Sequence, residues 1–301
     1  VYHLKGEFDK AQEYNEKSLD ILLKTRGENH PDVAELYNNM GALYTDKGDS
    51  DTALQYYHKS ANSLVETMGE NSQAPGNAYA NIGKVHLERA ELDAALEWLN
   101  KSLTVRLKAL GPDHVDVADS YNFIAHVYHG KKDFDIAAEY FNKSLEINVK
   151  TFGESHSRVA DCYHYIANVY YNKFEPQKAL VYHNQSLAVK LGLYGENHAS
   201  VAQSYNAIAV LFEVVGERER AIEFYQKSIQ ISQNIGENGG LEVANTYFNL
   251  GLAHLDLEQY EQALECMDKA LQIKLRCLGP EHQDTVEVKD KMNAIKQAMV
   301  K

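Results

Sequence analysis

The chain is poor in most of what carries chemistry. It has three cysteines in 301 residues, Cys162, Cys266 and Cys277, on separate helical stretches and with no CxxC pair. An odd, sparse count fits a reducing compartment and small buried thiols, not a disulfide framework. No apolar run approaches the roughly 18 residues that a membrane span needs. Positive charge is in deficit, with 30 Lys+Arg against 43 Asp+Glu. That balance disfavours nucleic acid and anionic membrane as partners. There is no Gly-rich phosphate loop, no HExxH pattern and no local nucleophile–base motif. The expectations are therefore a non-enzyme with no cofactor and no metal, placed in the cytoplasm. The chain opens at Val1, without Met or signal peptide, and reads as a fragment of a longer protein.

What it has in abundance is repetition. Tyr37 recurs as Tyr79, Tyr121, Tyr163, Tyr205 and Tyr247, each step being 42 residues. Ala53 recurs at the same step as Ala95, Ala137, Ala179, Ala221 and Ala263, and upstream as Ala11. Ser60 recurs as Ser102, Ser144, Ser186 and Ser228 and becomes Ala270. A fixed period of this length signals a solenoid of small units, each packing on its neighbours. It overrides the two domains that 301 residues would ordinarily suggest.

Each unit reads as two helices. Val33, Ala34, Tyr37, Met40, Gly41 and Tyr44 are spaced by threes and fours, as are Ala53, Leu54, Tyr57, Ala61 and Leu64. Gly48 sits between the two runs, where the chain turns. The small residues of the Gly41 column are expected to face those of the Ala53 column, so that the backbones approach closely. The units predicted are a partial repeat at 1–26, full repeats at 33–67, 76–109, 117–151, 159–193, 201–235 and 243–277, and a capping helix at 284–299. Val1–Lys5, including Tyr2, is expected to be the tail of a first helix. On the capping helix, Val286, Met292, Ile295 and Met299 are the expected apolar side. Two loops are irregular, around Ser72–Asn77 and Gly236–Leu241; the second is expected to pack loosely.

Tyr37, Met40-Gly41, Tyr44, Ala53, Tyr57 and Ser60 together resemble the tetratricopeptide repeat (TPR), whose usual length is 34 residues. The extra residues lie in the loop typified by Leu110–Ala118. That loop and the 42-residue period are similar to those of kinesin light chains. The resemblance covers the whole chain and implies an all-α, right-handed superhelical solenoid of stacked antiparallel helix pairs. It also implies a protein-binding function, with the first helix of each unit lining a concave groove.

Five of the thirteen histidines, His30, His114, His156, His198 and His282, form one column in the inter-repeat loops. Their expected role is to bond backbone groups where the next helix starts. His126, His129 and His164 could suggest a metal site, but no carboxylate stands at ligand spacing beside them. The Asn-x-Ser sequons at Asn100, Asn142 and Asn184 fall inside helices and are read as repeat columns.

The first-helix residues that the core does not claim are the informative ones. Glu35, Asn38, Ala42 and Thr45 form a stripe at steps of three, four and three. Continued by 42, the stripe and its neighbouring Asn39 column carry Asn38, Asn39, Asn81, Asn122 and Asn206, with Lys84, His126, His129, His164, Asn168 and Tyr171. Asn is a mediocre helix former, so its recurrence mid-helix needs a reason. A side-chain amide matches both the C=O and the N–H of an extended peptide. Kinesin light chains use a similar Asn pair to grip cargo, so the resemblance implies peptide contact for these residues. The alternative is that the Asn bond neighbouring helices or water and mark only the repeat subtype. The Glu35 column reads Glu35, Asn77, Asp119, Asp161, Gln203 and Asn245. Lys84 is the one cation in the groove columns, so a clamp for acidic ligands or a C-terminal carboxylate is not expected. The function expected is a scaffold that binds a peptide segment of a partner protein; a sensor or autoregulatory arm of a larger enzyme or ATPase is the alternative.

Overall fold

A computed structural model of the chain describes residues 6–69, 72, 74–236 and 239–299. The expected helix tail at Val1–Lys5 lies outside the described residues. Those residues form fourteen α-helices and no strand. Their contacts gather into two compact units, 1–151 and 152–301.

The first unit holds α1 (Phe8–Arg26), α2 (Pro31–Asp46), α3 (Ser50–Met68), α4 (Gly76–Glu88), α5 (Leu92–Leu110), α6 (Val115–Gly130) and α7 (Phe134–Phe152), whose last residue falls in the second unit. Here α2 packs on α3 and α4 on α5, and α3 then meets α4 as α5 meets α6. The second unit holds α8 (Ser157–Asn172), α9 (Pro176–Tyr194), α10 (Ala199–Val214), α11 (Arg218–Asn234), α12 (Leu241–Asp256), α13 (Tyr260–Leu278) and α14 (Gln283–Met299). It follows the same scheme, pairing α8 with α9, α10 with α11 and α12 with α13. Both units are built as an all-α TPR solenoid is, one helical hairpin packing on the next.

Ala53, Ala95, Ala137, Ala179, Ala221 and Ala263 are all 0% exposed. They sit where the two helices of a pair meet. The Gly41 column, however, faces mainly the residue one turn further on. A Cβ at Gly41 would lie 2.6 Å from the Tyr57 ring, and one at Gly83 2.6 Å from Leu99 Cγ. At Gly251 it would meet both Met267 and the Ala263 carbonyl. The small residue thus makes room for a large one on the partner helix.

The turns are also periodic. Gly48 has φ +78°, and the same turn position holds Ala90, Lys132, Phe174 and Glu258 at φ between 58° and 65°. The left-handed geometry is imposed by the hairpin even where a side chain opposes it. Each histidine of the loop column caps a helix. Nδ1 of His30, His114, His156, His198 and His282 accepts the N–H of Asp32, Asp116, Arg158, Ser200 and Asp284 at 3.1–3.2 Å. The two irregular loops replace this cap with Pro75 and Gly240, neither of which gives a side-chain cap bond. The described end of the second loop is held, because Gly239 O accepts from Arg276 Nη2 at 3.1 Å. Residues 70, 71, 73, 237 and 238 of these loops lie outside the described residues.

On α14 the packed residues are Thr285, Val288 and Ile295, with Met292 beside them. Val286 and Met299 are 39% and 42% exposed, contrary to the sequence expectation. Val286 stands two residues from Val288, about 200° around the helix, and so turns away from α13.

Candidate functional site

In the first unit, α2, α4 and α6 carry Asn38, Asn39, Asn81, Lys84, Asn122, His126 and His129. Asn39 is exposed. Asn81 Nδ2 donates to Asn38 Oδ1 at 3.0 Å, so these two amides bridge successive first helices. Asn122 Oδ1 is buried without a hydrogen-bond partner among the described residues. Lys84 lies over the Phe123 ring, 4.5 Å from its centroid. Burial lowers its pKa and Arg106 adds to this, while Asp119 opposes it. His126 packs edge-on to Phe141, with centroids 5.0 Å apart, and burial takes it down to about 4, with His129 adding. His129 is edge-on to Phe134 and is likewise lowered by burial.

In the second unit, α8 and α10 carry His164, Asn168, Tyr171 and Asn206. Asn168 Nδ2 lies 3.1 Å from His164 Nε2. The amide donates, so Nε2 accepts and Nδ1 carries the proton; that Nδ1 is buried without a partner. The ring rests against His183 at 5.2 Å. Burial takes His164 down to about 4 and His183 to about 3, with the Lys190 ammonium adding to both. Asn206 Oδ1, like Asn122 Oδ1, is buried and has no hydrogen-bond partner among the described residues. Tyr171 is 41% exposed. The column that begins at Thr45 also carries internal bonds: Tyr225 OH donates to Glu213 Oε2 at 2.7 Å.

Among the described residues no group of three or more His, Cys, Asp or Glu is placed to hold a metal ion.

A second set of polar residues, on the second helices, is not visible from the first-helix columns. Arg106, Lys190 and Lys274 stand 84 residues apart, in every other repeat. They are 7%, 7% and 4% exposed. Arg106 Nη1 donates to Asp116 O at 2.9 Å and Ser120 Oγ at 2.8 Å, and Nη2 to Asn77 Oδ1 at 2.8 Å. Lys190 Nζ donates to Ser204 Oγ at 3.3 Å. Lys274 Nζ is 3.8 Å from Asp284 Oδ2. These cations also offset the stripe's acids. Asp119 favours the charge of Lys84 and Arg106, and Asp161, raised by burial, is pulled back chiefly by Lys190. The signal in the sequence was a basic residue at twice the repeat period, within a column that otherwise holds Leu64, Asn148 and Ser232.

This architecture is that of a TPR protein, and the chain belongs to the tetratricopeptide repeat family, whose model matches residues 1–64, 75–149, 116–192, 158–234 and 242–290. Its repeat is of the 42-residue, kinesin light chain-like type. The fold is similar to that of BtubC (BKLC) from P. vanneervenii, with 22% identity over 75% of this chain and 90% of that one and a TM-score of 0.65. It is similar also to a Podosopora anserina putative kinesin light chain with nearly identical TPR-like repeats, at 18% identity over 68% and 98% of the two chains and a TM-score of 0.61. The apo form of RapI is a third such structure, with 13% identity over 87% and 99% and a TM-score of 0.62. At these identities the likeness shows the fold. No curated protein matches the chain. TPR domains in general are non-catalytic scaffolds that bind other proteins. Among the described residues no helix is long and apolar enough to cross a membrane.

Proposed function

We propose that the chain is a non-catalytic interaction scaffold that takes a peptide segment of a partner protein along the stripe of its first helices. The manner is kinesin light chain-like cargo or adaptor recognition, in the groove that the family resemblance implies. The single-solenoid organisation over 1–301, the cytoplasmic location and the absence of nucleic acid among its partners belong to the same proposal. The net charge of −13 supports the last of these.

The carrying observation is the pair Asn122 and Asn206. They hold the same repeat position in different units, and each leaves a buried carbonyl oxygen without a donor. A buried polar atom without a partner costs free energy, and a bound backbone N–H would supply what is missing. Asn38 does not offer this acceptor, because Asn81 already occupies it. The experiment is a peptide-display selection on the purified chain, with each hit located by hydrogen exchange. Protection on α4, α6, α8 and α10 is expected; protection confined to α3, α5, α9 and α11 contradicts the proposal.

A further inference from the structure

The alternation of basic residues on the second helices leaves one repeat of the second unit without its cation. Position 232, one repeat beyond Lys190 and one before Lys274, is Ser232. Where the long side chain is missing there is a pocket of about 520 Å³. Gln203 and Asn206 of α10, Ser228 and Ser232 of α11, and Glu242 and Thr246 of α12 are among its lining residues.

The occupied repeats show what such a space is built to hold. Arg106 reaches the residue 14 positions on, Ser120, and the Glu35-column residue of its own repeat, Asn77. Lys190 reaches the corresponding Ser204. Lys274 lies beside Asp284, ten positions on. Counted from Ser232, the same three places are Thr246, Gln203 and Glu242, and all three line the pocket. A helix start is an unfavourable place for a cation, yet three repeats put one there because neighbouring oxygens compensate for it. In the vacant repeat the oxygens are still present. Among the described residues the Glu242 carboxylate accepts only from the neutral Gln203 amide, at 3.0 and 3.2 Å. Asn206 Oδ1 is buried and unpartnered.

We propose that this pocket receives a lysine or arginine side chain of the bound partner, which takes the place that Arg106 and Lys190 fill from within the chain. The inference rests on the scaffold reading and names the chemistry of one ligand position. The aliphatic stem lies against Ala202 and Val243, and the cationic head meets Glu242, Thr246 and Asn206.

The test uses N-acetyl-arginine amide, N-acetyl-lysine amide, N-acetyl-norleucine amide and N-acetyl-glutamate amide, titrated against the full chain and followed by protein NMR. The two basic probes are expected to shift the Asn206 and Thr246 signals and to bind at least about tenfold better than the norleucine and glutamate probes. Ser232→Lys is expected to abolish that binding, because the chain then fills its own pocket, while the melting temperature stays the same or rises. Glu242→Gln, on the exposed rim, is expected to weaken it about three- to tenfold and guards against a Ser232→Lys chain that does not fold. Equal binding of the norleucine probe, preference for the glutamate probe, or full binding by Glu242→Gln overturns the proposal. If selected peptides bind the stripe with no preference for a basic residue, the pocket fails and the scaffold reading stands. If the basic probes bind but no peptide does, the scaffold reading fails instead.

Discussion

Asn81 and Asn38 stand 43 residues apart, not 42, and hydrogen-bond to each other across successive repeats at 3.0 Å. The bond runs diagonally from one Asn column to the next. It gives two of the six candidate asparagines a structural task, and it separates them from Asn122 and Asn206, whose carbonyl oxygens have none among the described residues. Asn81→Ala is therefore expected to lower stability by about 0.5–1.5 kcal/mol, the usual net value of one hydrogen bond. Asn38→Ala should cost about the same and the double variant little more, since both remove one bond. Urea denaturation of the four chains checks this; additive losses would show that the two side chains act separately.

The columns of small residues give a second prediction. Ala137 and Ala179 are 0% exposed at helix–helix contacts. Ala137→Leu and Ala179→Leu should each overpack the contact and cost about 1–3 kcal/mol. Wild-type melting of both variants would mean that the pairing of helices is misassigned.

The turns give a third, of opposite sign. Phe174 is held at φ +59° and is 92% exposed, so its side chain gains little by packing and its backbone is strained. Left-handed geometry costs a non-glycine residue about 1–2 kcal/mol, and glycine returns part of that gain through the entropy of the unfolded chain. Phe174→Gly should stabilise by about 0.5–1 kcal/mol. A lower melting temperature would show that the exposed ring makes contacts that offset the strain.

Buried histidines set the response to acid. His126 and His164 are held at about 4 and His183 at about 3, against 6.5 for a free imidazole, chiefly by burial. The folded chain thus binds fewer protons than the unfolded one below pH 6.5. The stability these neutral rings contribute is complete above pH 6.5 and is lost as pH falls through the range toward 4 and 3, by up to about 1.4 kcal/mol per unit for each group. His183 fills a column that holds Phe141 in the preceding repeat. His183→Phe should therefore flatten the decline in stability between pH 7 and pH 5. An unchanged slope would contradict the assignment.

Much of this was legible in the sequence, because a solenoid repeats its contacts wherever it repeats its residues. The helix pairs followed from the Tyr37 and Ala53 columns, and the helix starts from the histidine column, whose Nδ1 atoms accept the backbone N–H two residues on. What was hidden lies across the columns. The Asn38–Asn81 bond joins two different ones. The cations Arg106, Lys190 and Lys274 sit on the second helices and recur at twice the period, so the first-helix columns alone do not show what stands beside their acids Asp119 and Asp161. The exposed Val286 was misplaced because a single terminal helix offers no second copy to fix its phase.

The most direct measurement for the scaffold reading is the affinity of selected peptides for Asn122→Ala and Asn206→Ala, by titration calorimetry. Each amide is held to contact peptide backbone, which every ligand has. The account expects each variant to bind three- to tenfold more weakly, about 0.7–1.4 kcal/mol. The loss should be similar for ligands of unrelated sequence and accompanied by little loss of fold stability. Undiminished affinity in both variants, with the peptides still bound, would contradict it.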